Sequence, residues 1–228
     1  MLLYSAPLSL FARKVEIVLA EKGLAYDRVM VPFTQTTGYS PKHPAVIAAN
    51  PKAQVPVLID GDLTLYDSTV IIEYLEDAYP YPALFPETPG LRARCRQLEL
   101  EADEILLVPV RALMHRSEPP GPDTERRQQQ EKMAKQAENS IVALYDRVAS
   151  VLGSQDYLCG AFSVADVASF MVVHYALRLG GPPPGTHENL QSWYEHMAKR
   201  PSTAAVIAEI AAADRELSHP VAPYGKQP

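Results

Sequence analysis

A serine lies where a short predicted strand gives way to the first predicted helix. Ser9 follows the apolar segment Leu2-Leu3-Tyr4 and precedes a helical stripe that includes Val15 and Val18. At a helix N-terminus, backbone N–H groups and the helix dipole favour negative charge. A hydroxyl there can cap the helix or donate a hydrogen bond to a bound anion. The chain has no GxSxG motif and no histidine or acid close to Ser9, so a hydrolytic nucleophile is not indicated.

Two further segments place polar groups at the start of an element. Val55-Pro56 opens a predicted strand, where a proline can stand because it has no N–H for the ladder. The local pattern alone favours a trans bond, whereas a cis bond would turn the Val55 backbone outward to pair with an extended peptide. Asp67-Ser68 begins a predicted helix, and both residue types are good caps. As a binding pair, Ser68 and the helix N–H groups would hold a carboxylate and Asp67 an ammonium, the two poles of an amino acid.

The elements around these segments predict a small α/β layer. They follow as strand, helix, strand, hairpin and helix, over 2–4, 9–22, 26–31, 55–59 with 62–66, and 68–79. The first three form a βαβ unit with parallel strands. Asp60-Gly61 between two short apolar runs is a strong hairpin signal. The order therefore predicts a four-stranded mixed sheet with helices packed on it.

Prolines break the regular pattern twice between residues 80 and 90, which places a domain boundary there. The predicted domains are 1–80, a linker over 81–90, and an all-helical domain over 91–228. The predicted helices are 91–114 with a kink at Pro109, a long helix, 163–179, 190–199 and 203–217. The long helix carries one apolar stripe, made of Met133, Ala137, Ile141, Leu144, Val148 and Val151. The helix over 163–179 is apolar nearly all round, so we expect it to be central, with Ser163 and Asp166 as its capping box.

Composition limits the classes of function. The 228 residues are 47% hydrophobic and 21% charged, with a formal net charge of −6, which argues against disorder and against nucleic-acid binding as the main role. No apolar run reaches the ~18 residues that span a bilayer, and the first residues lack the features of a signal peptide. We therefore expect a cytoplasmic protein without membrane contact. Cys95 and Cys159 form no CxxC pair and are expected to be reduced, buried thiols; the histidines show no metal-ligand spacing with them.

Taken together, these segments resemble the glutathione S-transferase family, from Leu3 to about Ser202. The carrying stretches are YSAPLSLFARKVEIVLAEKG, NPKAQVPVL, LYDSTVIIEYLEDAYP, YLCGAFSVADVASF and the weaker WYEHMAKRPS. The resemblance implies an α/β plus all-α fold: a thioredoxin-like domain with a four-stranded mixed sheet, then an all-helical domain carrying the second-substrate site. It also implies a homodimer, glutathione as co-substrate, no metal, and a role in detoxification.

The resemblance also implies roles for individual residues. Ser9, six residues before Val15, corresponds to the catalytic serine of the serine-type classes, whose hydroxyl hydrogen-bonds the glutathione sulfur and stabilises the thiolate. The implied glutathione-binding residues are Lys42 and Gln54 for the glycyl end, Val55 before a cis Pro56 for the cysteinyl backbone, and Asp67 with Ser68 for the γ-glutamyl end. Asp67 departs from the Glu or Gln of many members. His43 beside Lys42 is expected to be an exposed loop residue, and Asp103 is a candidate to reach glutathione across a dimer interface.

Three functions stay open at this point. The first is a glutathione transferase in which the thiolate attacks an electrophilic, largely apolar substrate. The second is glutathione-dependent aryl ether cleavage, because STVIIEYLED and SQDYL followed by SVAD resemble stretches of bacterial β-etherases. The third is a non-catalytic binding or stress module of transferase-like fold. Ser9, Gln54-Val55-Pro56 and Asp67-Ser68 are all present, which favours catalysis.

Overall fold

The computed structural model of the protein describes residues 1–226, which divide into two compact units. The first unit comprises Met1–Leu84 and Arg200–Leu217. The second comprises Phe85–Lys199 and residues 218–226. The helices, in chain order, are α1 Leu10–Glu21, α2 Pro44–Ala49, α3 Ser68–Ala78, α4 Pro89–Glu101, α5 Leu107–Arg111, α6 Thr124–Leu152, α7 Val164–Arg178, α8 Glu188–Lys199 and α9 Pro201–Leu217. No helix in the described part of the chain is both long enough and apolar enough to cross a membrane.

The first unit is built on a four-stranded mixed sheet, which confirms the prediction. Its strands are β1 Leu2–Ser5, β2 Asp27–Met30, β3 Val57–Asp60 and β4 Leu63–Tyr66, in the order β2-β1-β3-β4. β1 runs parallel to β2 and antiparallel to β3, and β3 is antiparallel to β4. Because Asp60 pairs with Leu63, the hairpin turns at Gly61-Asp62, one residue later than predicted. Gly61 has φ +57°, which suits glycine at this turn.

Helices pack around this sheet and bury its apolar residues. α1 contacts both α3 and α9, so the helix over 201–217 belongs to the first unit. One core cluster joins β1, the chain after β2, α2 and the start of β3, through Tyr4, Ala6, Val31, Val46 and Val57. The sheet is therefore the rigid frame from which the loops at its edges extend.

The second unit is helical, as predicted, but its first helix is interrupted. A single helix kinked at Pro109 was expected over 91–114. Instead α4 is followed by a π-helical turn over Ala102–Leu106, the short α5, and a 3₁₀ turn over Met114–Ser117. Pro109 has no N–H to donate to the Ile105 carbonyl, and Ile105 lies in the π-helical turn.

The buried face of α6 also differs from the prediction. Its buried residues are Ala134, Ile141, Tyr145, Ala149 and Leu152, and of the predicted stripe only Ile141 is among them. Met133 is 54% exposed. The buried face of α6 is shifted by about one residue from the predicted face. The large Tyr145 and the small alanines, rather than the strongest apolar residues, face the core.

α7 is the buried helix that the sequence predicts. Twelve of its residues are buried, and its capping box is present. The backbone N–H and the hydroxyl of Ser163 both donate to Asp166 Oδ2, at 3.0 and 2.9 Å. Leu158 N–H and the Trp193 indole N–H donate to the other oxygen, Oδ1, at 2.9 and 3.0 Å. Burial raises the pKa of Asp166, and these four hydrogen bonds oppose that effect.

Candidate functional site

The register of the sheet brings the predicted site segments to one edge. Tyr4 near the end of β1 pairs with Val57 at the start of β3, and Val57 pairs with Tyr66 at the end of β4. Ser9 therefore lies at this edge, after β1. Val55-Pro56 lies there before β3, and Asp67-Ser68 lies there after β4. This follows from the strand directions, since the end of one antiparallel strand adjoins the start of its neighbour.

Ser9 is the N-cap of α1. Its Oγ accepts a hydrogen bond from the Ala12 N–H at 3.2 Å, and its backbone has the extended conformation of a cap, with φ −86° and ψ 107°. Within residues 1–226, no acceptor pairs with the Ser9 hydroxyl hydrogen. The cap uses Oγ as an acceptor only, so the same hydroxyl can still donate its hydrogen. Capping and anion binding, which the sequence sets as alternatives, are therefore compatible.

The segment before β3 presents a free backbone. The Val55–Pro56 bond is cis, as the resemblance implies and against the local expectation. Among the described residues, neither the N–H nor the C=O of Val55 has a hydrogen-bond partner. Buried Asn50 fixes the loop from inside: its Nδ2 donates to the Gln54 carbonyl at 2.7 Å, and its Oδ1 accepts from the Lys52 N–H at 2.9 Å. The side chain of Gln54 is exposed.

Asp67 is the N-cap of α3, in the left-handed region at φ +77°. Its Oδ1 accepts from the Thr69 and Val70 N–H groups, at 3.0 and 3.4 Å. Ser68 is the first residue of the helix and is 4% exposed. No partner for the Ser68 hydroxyl occurs in the described chain. The pair thus offers a carboxylate and a hydroxyl side by side at a helix N-terminus.

Lys42 and His43 lie before α2, on the loop that follows β2. The exposed Lys42 places Nζ 4.3 Å from the centroid of the Tyr39 ring. The Tyr39 hydroxyl accepts from the His43 N–H at 2.9 Å, and His43 Nδ1 accepts from the Ala45 N–H at 3.2 Å, so His43 caps α2. The His43 ring lies 4.9 Å from that of Tyr4, next to the sheet edge. His43 is therefore half-buried and structural, not the exposed loop residue that was expected.

Two supporting residues were missed from the sequence. Asn50 and Tyr39 hold the loops that carry Gln54 and Lys42, and no motif distinguishes them from ordinary loop residues. Asp103, a candidate from the resemblance, is buried in the π-helical turn of the second unit, at 7% exposure. Of the described residues, none form a cluster of three or more metal-ligating side chains.

A separate groove of about 870 Å³ lies within the second unit, between α6, the 3₁₀ turn and the chain after α9. Its lining includes the cationic side chains of Arg116, Arg127, Lys132 and Lys135. Arg116 forms ion pairs with Glu131 and Glu138, each at 2.7 Å. The groove holds no residue that the resemblance assigns to glutathione.

Comparison with known proteins identifies the family of both units. Residues 3–83 match the family model described as "Glutathione S-transferase, N-terminal domain", and residues 103–201 match "Glutathione S-transferase, C-terminal domain". The chain is 31% identical over 223 residues to "Glutathione S-transferase 3" of Zea mays, covering 91% of this chain and 93% of that protein. A solved structure of a glutathione S-transferase from Rhodospirillum rubrum F11 matches with a TM-score of 0.75 and 26% identity, over 90% of each chain.

Another relative has a different name and matches only part of the chain. The chain is 44% identical over 100 residues to a "Stringent starvation protein A homolog" of Coxiella burnetii. That match covers 43% of this chain and 44% of the relative, so it spans less than half of either protein.

Proposed function

We propose, since the chain belongs to the glutathione S-transferase family, that it transfers glutathione to electrophilic, largely apolar small molecules. The observation that carries the proposal is the geometry of Ser9. Its Oγ accepts the Ala12 N–H and keeps its own hydrogen to donate, at the positive end of the α1 dipole. A thiolate is the species that such a position favours.

The chemistry that Ser9 would supply is activation of a thiol. A free thiol has a pKa near ~8.5 and is mostly protonated at pH 7. Donation from the hydroxyl, with the helix dipole, lowers that pKa and releases the proton to solvent. The thiolate sulfur then attacks the electrophilic carbon. In a substitution, the carbon–sulfur bond forms as the bond to the leaving group breaks; in an addition, the carbanion formed takes up a proton.

The other residues of the sheet edge would hold the tripeptide. The Val55 N–H and C=O would pair with its cysteinyl backbone as an added strand does. Asp67 would bind the γ-glutamyl ammonium while Ser68 binds the adjacent carboxylate. Lys42 and Gln54 would reach the glycyl end. Glutathione would thus be bound by the sheet domain of the first unit, and the second substrate would be held by the helical second unit.

We further propose that the protein is a cytoplasmic homodimer with a role in detoxification. The family resemblance implies the dimer, and two apolar side chains that are exposed where β4 ends and α3 begins are consistent with it: Tyr66 is 40% exposed and Val70 is 50% exposed.

A second candidate function is a stress-response module without transferase activity. It is favoured by the relatives named as stringent starvation protein A homologues, whose matches cover under half of their length. The two functions differ in what they require of Ser9: a binding module needs no activated thiol.

The experiment that separates them measures binding and turnover together. Glutathione binding is followed by calorimetry, and transfer to an activated aryl chloride is followed by release of chloride. A transferase binds glutathione and turns over, and the rate falls in Ser9→Ala while binding persists. Binding with no turnover of aryl chlorides, epoxides or aryl ethers would favour the stress module. Turnover of the aryl ether alone would favour ether cleavage.

A further inference from the structure

Cys95 and Cys159 meet inside the second unit, although 64 positions separate them in the sequence. Cys95 lies in α4 and has no exposed surface, whereas Cys159 lies in the loop before α7 and is half-buried. Each thiol interacts with the other and with Ser163 at the start of α7, and both thiols are free. Neither residue belongs to the sheet edge that would bind glutathione.

The cap of α7 fixes the position of Cys159. Cys159 pairs with Ala161 in an isolated antiparallel bridge, and Leu158 N–H donates to buried Asp166 at 2.9 Å. Asp166 also accepts both donors of Ser163. Since α7 packs directly against α4, this cap places Cys159 beside the helix that carries Cys95. The pair is therefore an anchored feature of the fold, not a chance approach of a loose loop.

The contact between the two thiols makes them unequal. A hydrogen bond from Cys95, helped by Ser163 and by the charge of Arg94, lowers the pKa of Cys159 against the effects of burial and of the charge of Asp166. The same hydrogen bond, together with burial, raises the pKa of Cys95. Cys159 is also the partly exposed residue, whereas Cys95 has no exposed surface, so the pair loses its first proton from Cys159.

We propose that Cys159 and Cys95 are a peroxide-oxidised dithiol, in which Cys159 is the site of oxidation and Cys95 resolves it to an intramolecular disulfide. Two structural properties fit these roles: of the two residues only Cys159 has surface in contact with solvent, and buried Cys95 can reach no thiol of another molecule. The inference goes beyond the proposed transferase, which uses neither cysteine.

The proposed steps balance with hydrogen peroxide as the oxidant. The Cys159 thiolate attacks one peroxide oxygen, the O–O bond breaks, and hydroxide leaves and takes up a proton to become water. The sulfur is now a sulfenic acid. The Cys95 sulfur then attacks it, the S–O bond breaks, and a second water leaves with the Cys95 proton. The two sulfurs have lost two electrons and the peroxide has gained them; an added dithiol reverses the result.

The test uses the full chain, reduced, with hydrogen peroxide and no glutathione. We expect both free thiols to be lost together, the intact mass to fall by two hydrogen atoms, and proteolysis without reductant to give one peptide pair joining Cys95 to Cys159. Dithiothreitol should restore both thiols. Unchanged thiols, or a disulfide that joins two chains, would overturn the proposal. Because glutathione is absent, this outcome is independent of the transferase assay.

Two matched variants assign the roles. In Cys95→Ala, Cys159 should still react, and its sulfenic acid should persist and be trapped by dimedone. In Cys159→Ala, loss of the remaining thiol should slow by about tenfold or more, because Cys95 has no exposed surface and a buried thiol is a poor nucleophile. Equal rates in the two variants would overturn the assignment. The peptide map of the unmodified chain decides the question even where a variant folds poorly.

Discussion

At the residue scale, the single carboxylate of Asp67 has two roles. It caps α3 through Oδ1, and it would also supply the negative charge for an ammonium group. Its φ of +77° restricts the residues that fit, because asparagine and aspartate tolerate this region better than most others. The cap and the charge can therefore be separated by mutation.

Asp67→Asn should weaken glutathione binding without affecting folding. The amide oxygen keeps the cap and asparagine accepts the positive φ, but the charge is lost. We expect the dissociation constant to rise about tenfold, the loss of one charge-assisted hydrogen bond. Asp67→Ala should lower both binding and the melting temperature. Calorimetry and thermal unfolding give the two readouts; unchanged binding in Asp67→Asn would remove Asp67 from the site.

Lys42→Ala should raise the dissociation constant for glutathione by about tenfold, since a carboxylate would lose its cation. The effect should weaken as salt is added, because Lys42 is exposed and its interaction is screened. Lys199→Ala is the matched control, an exposed lysine on α8. Equal effects of the two substitutions would show that the contribution is one of general charge.

How far these residues can be predicted depends on whether they belong to a pattern. Ser9, Val55-Pro56 and Asp67-Ser68 stand at junctions between elements, and junctions can be located from the sequence. Asn50 and Tyr39 act through contacts with residues of the loops they support, and nothing in their spacing marks them. The cis form of Val55–Pro56 follows from the resemblance and not from the local pattern.

At the scale of elements, a buried ion pair connects the ends of α1 and α3. Lys22 Nζ donates to Glu76 Oε2 at 2.8 Å and to the Tyr79 and Pro82 carbonyls at 2.8 and 3.0 Å. The Leu84 N–H donates to the same Glu76 oxygen at 3.1 Å. The lysine side chain has no exposed surface. This one cation therefore fixes how the chain leaves α3.

Lys22→Met should lower the free energy of unfolding by about 3–5 kcal/mol, because it removes the cation that faces the buried carboxylate of Glu76. The double variant Lys22→Met/Glu76→Leu should recover much of that loss. Arg147→Met provides the contrast: Arg147 is 52% exposed in its ion pair with Glu101, and its loss should cost less than about 1 kcal/mol. Denaturant unfolding measures all three. A double variant as unstable as the single one would contradict this account.

The positions of the elements can largely be predicted from the sequence, but the face that each helix buries cannot. The four strands, the hairpin, α1, α3 and the capped α7 follow from periodicity, turn residues and cap residues. The buried face of α6 was misplaced because Tyr145 and Ala134 fill the core where stronger apolar residues were expected. The break before α5 was assigned to Pro109 itself, whereas the chain adjusts one turn earlier. Pairing of Cys95 with Cys159 depends on how α4 and α7 pack, which no local pattern reports.

At the scale of the whole molecule, arginine-bound carboxylates should govern stability in acid. Burial raises the pKa of Glu131, but hydrogen bonds and charge from Arg116 and His115 outweigh it, so the net pKa is lowered. Glu209 behaves in the same way beside Arg28 and Arg13. A carboxyl with a lowered folded pKa stabilises the fold above its unfolded value, and this contribution is lost as pH falls through the folded pKa. Asp166, with its raised pKa, has the opposite sign.

The free energy of unfolding should therefore fall as pH decreases below about 4.5, the ordinary value for glutamate. Glu131→Gln should be less stable at neutral pH and should lose part of this dependence on pH. Gln129→Glu, at an exposed position on α6, is the matched control for a changed charge. Denaturant unfolding at a series of pH values checks the prediction. An unchanged slope in Glu131→Gln would contradict it.

The central claim is that the Ser9 hydroxyl stabilises a thiolate, and the most direct measurement is the ultraviolet absorbance of bound glutathione as a function of pH. The natural chain should show the thiolate band at neutral pH. Ser9→Ala should still bind glutathione, but with the thiol pKa raised by about 1–2 units, the equivalent of a hydrogen bond to a charged group. Ser9→Thr, which keeps the hydroxyl, should retain the band. An equal band in the natural chain and in Ser9→Ala would contradict the account.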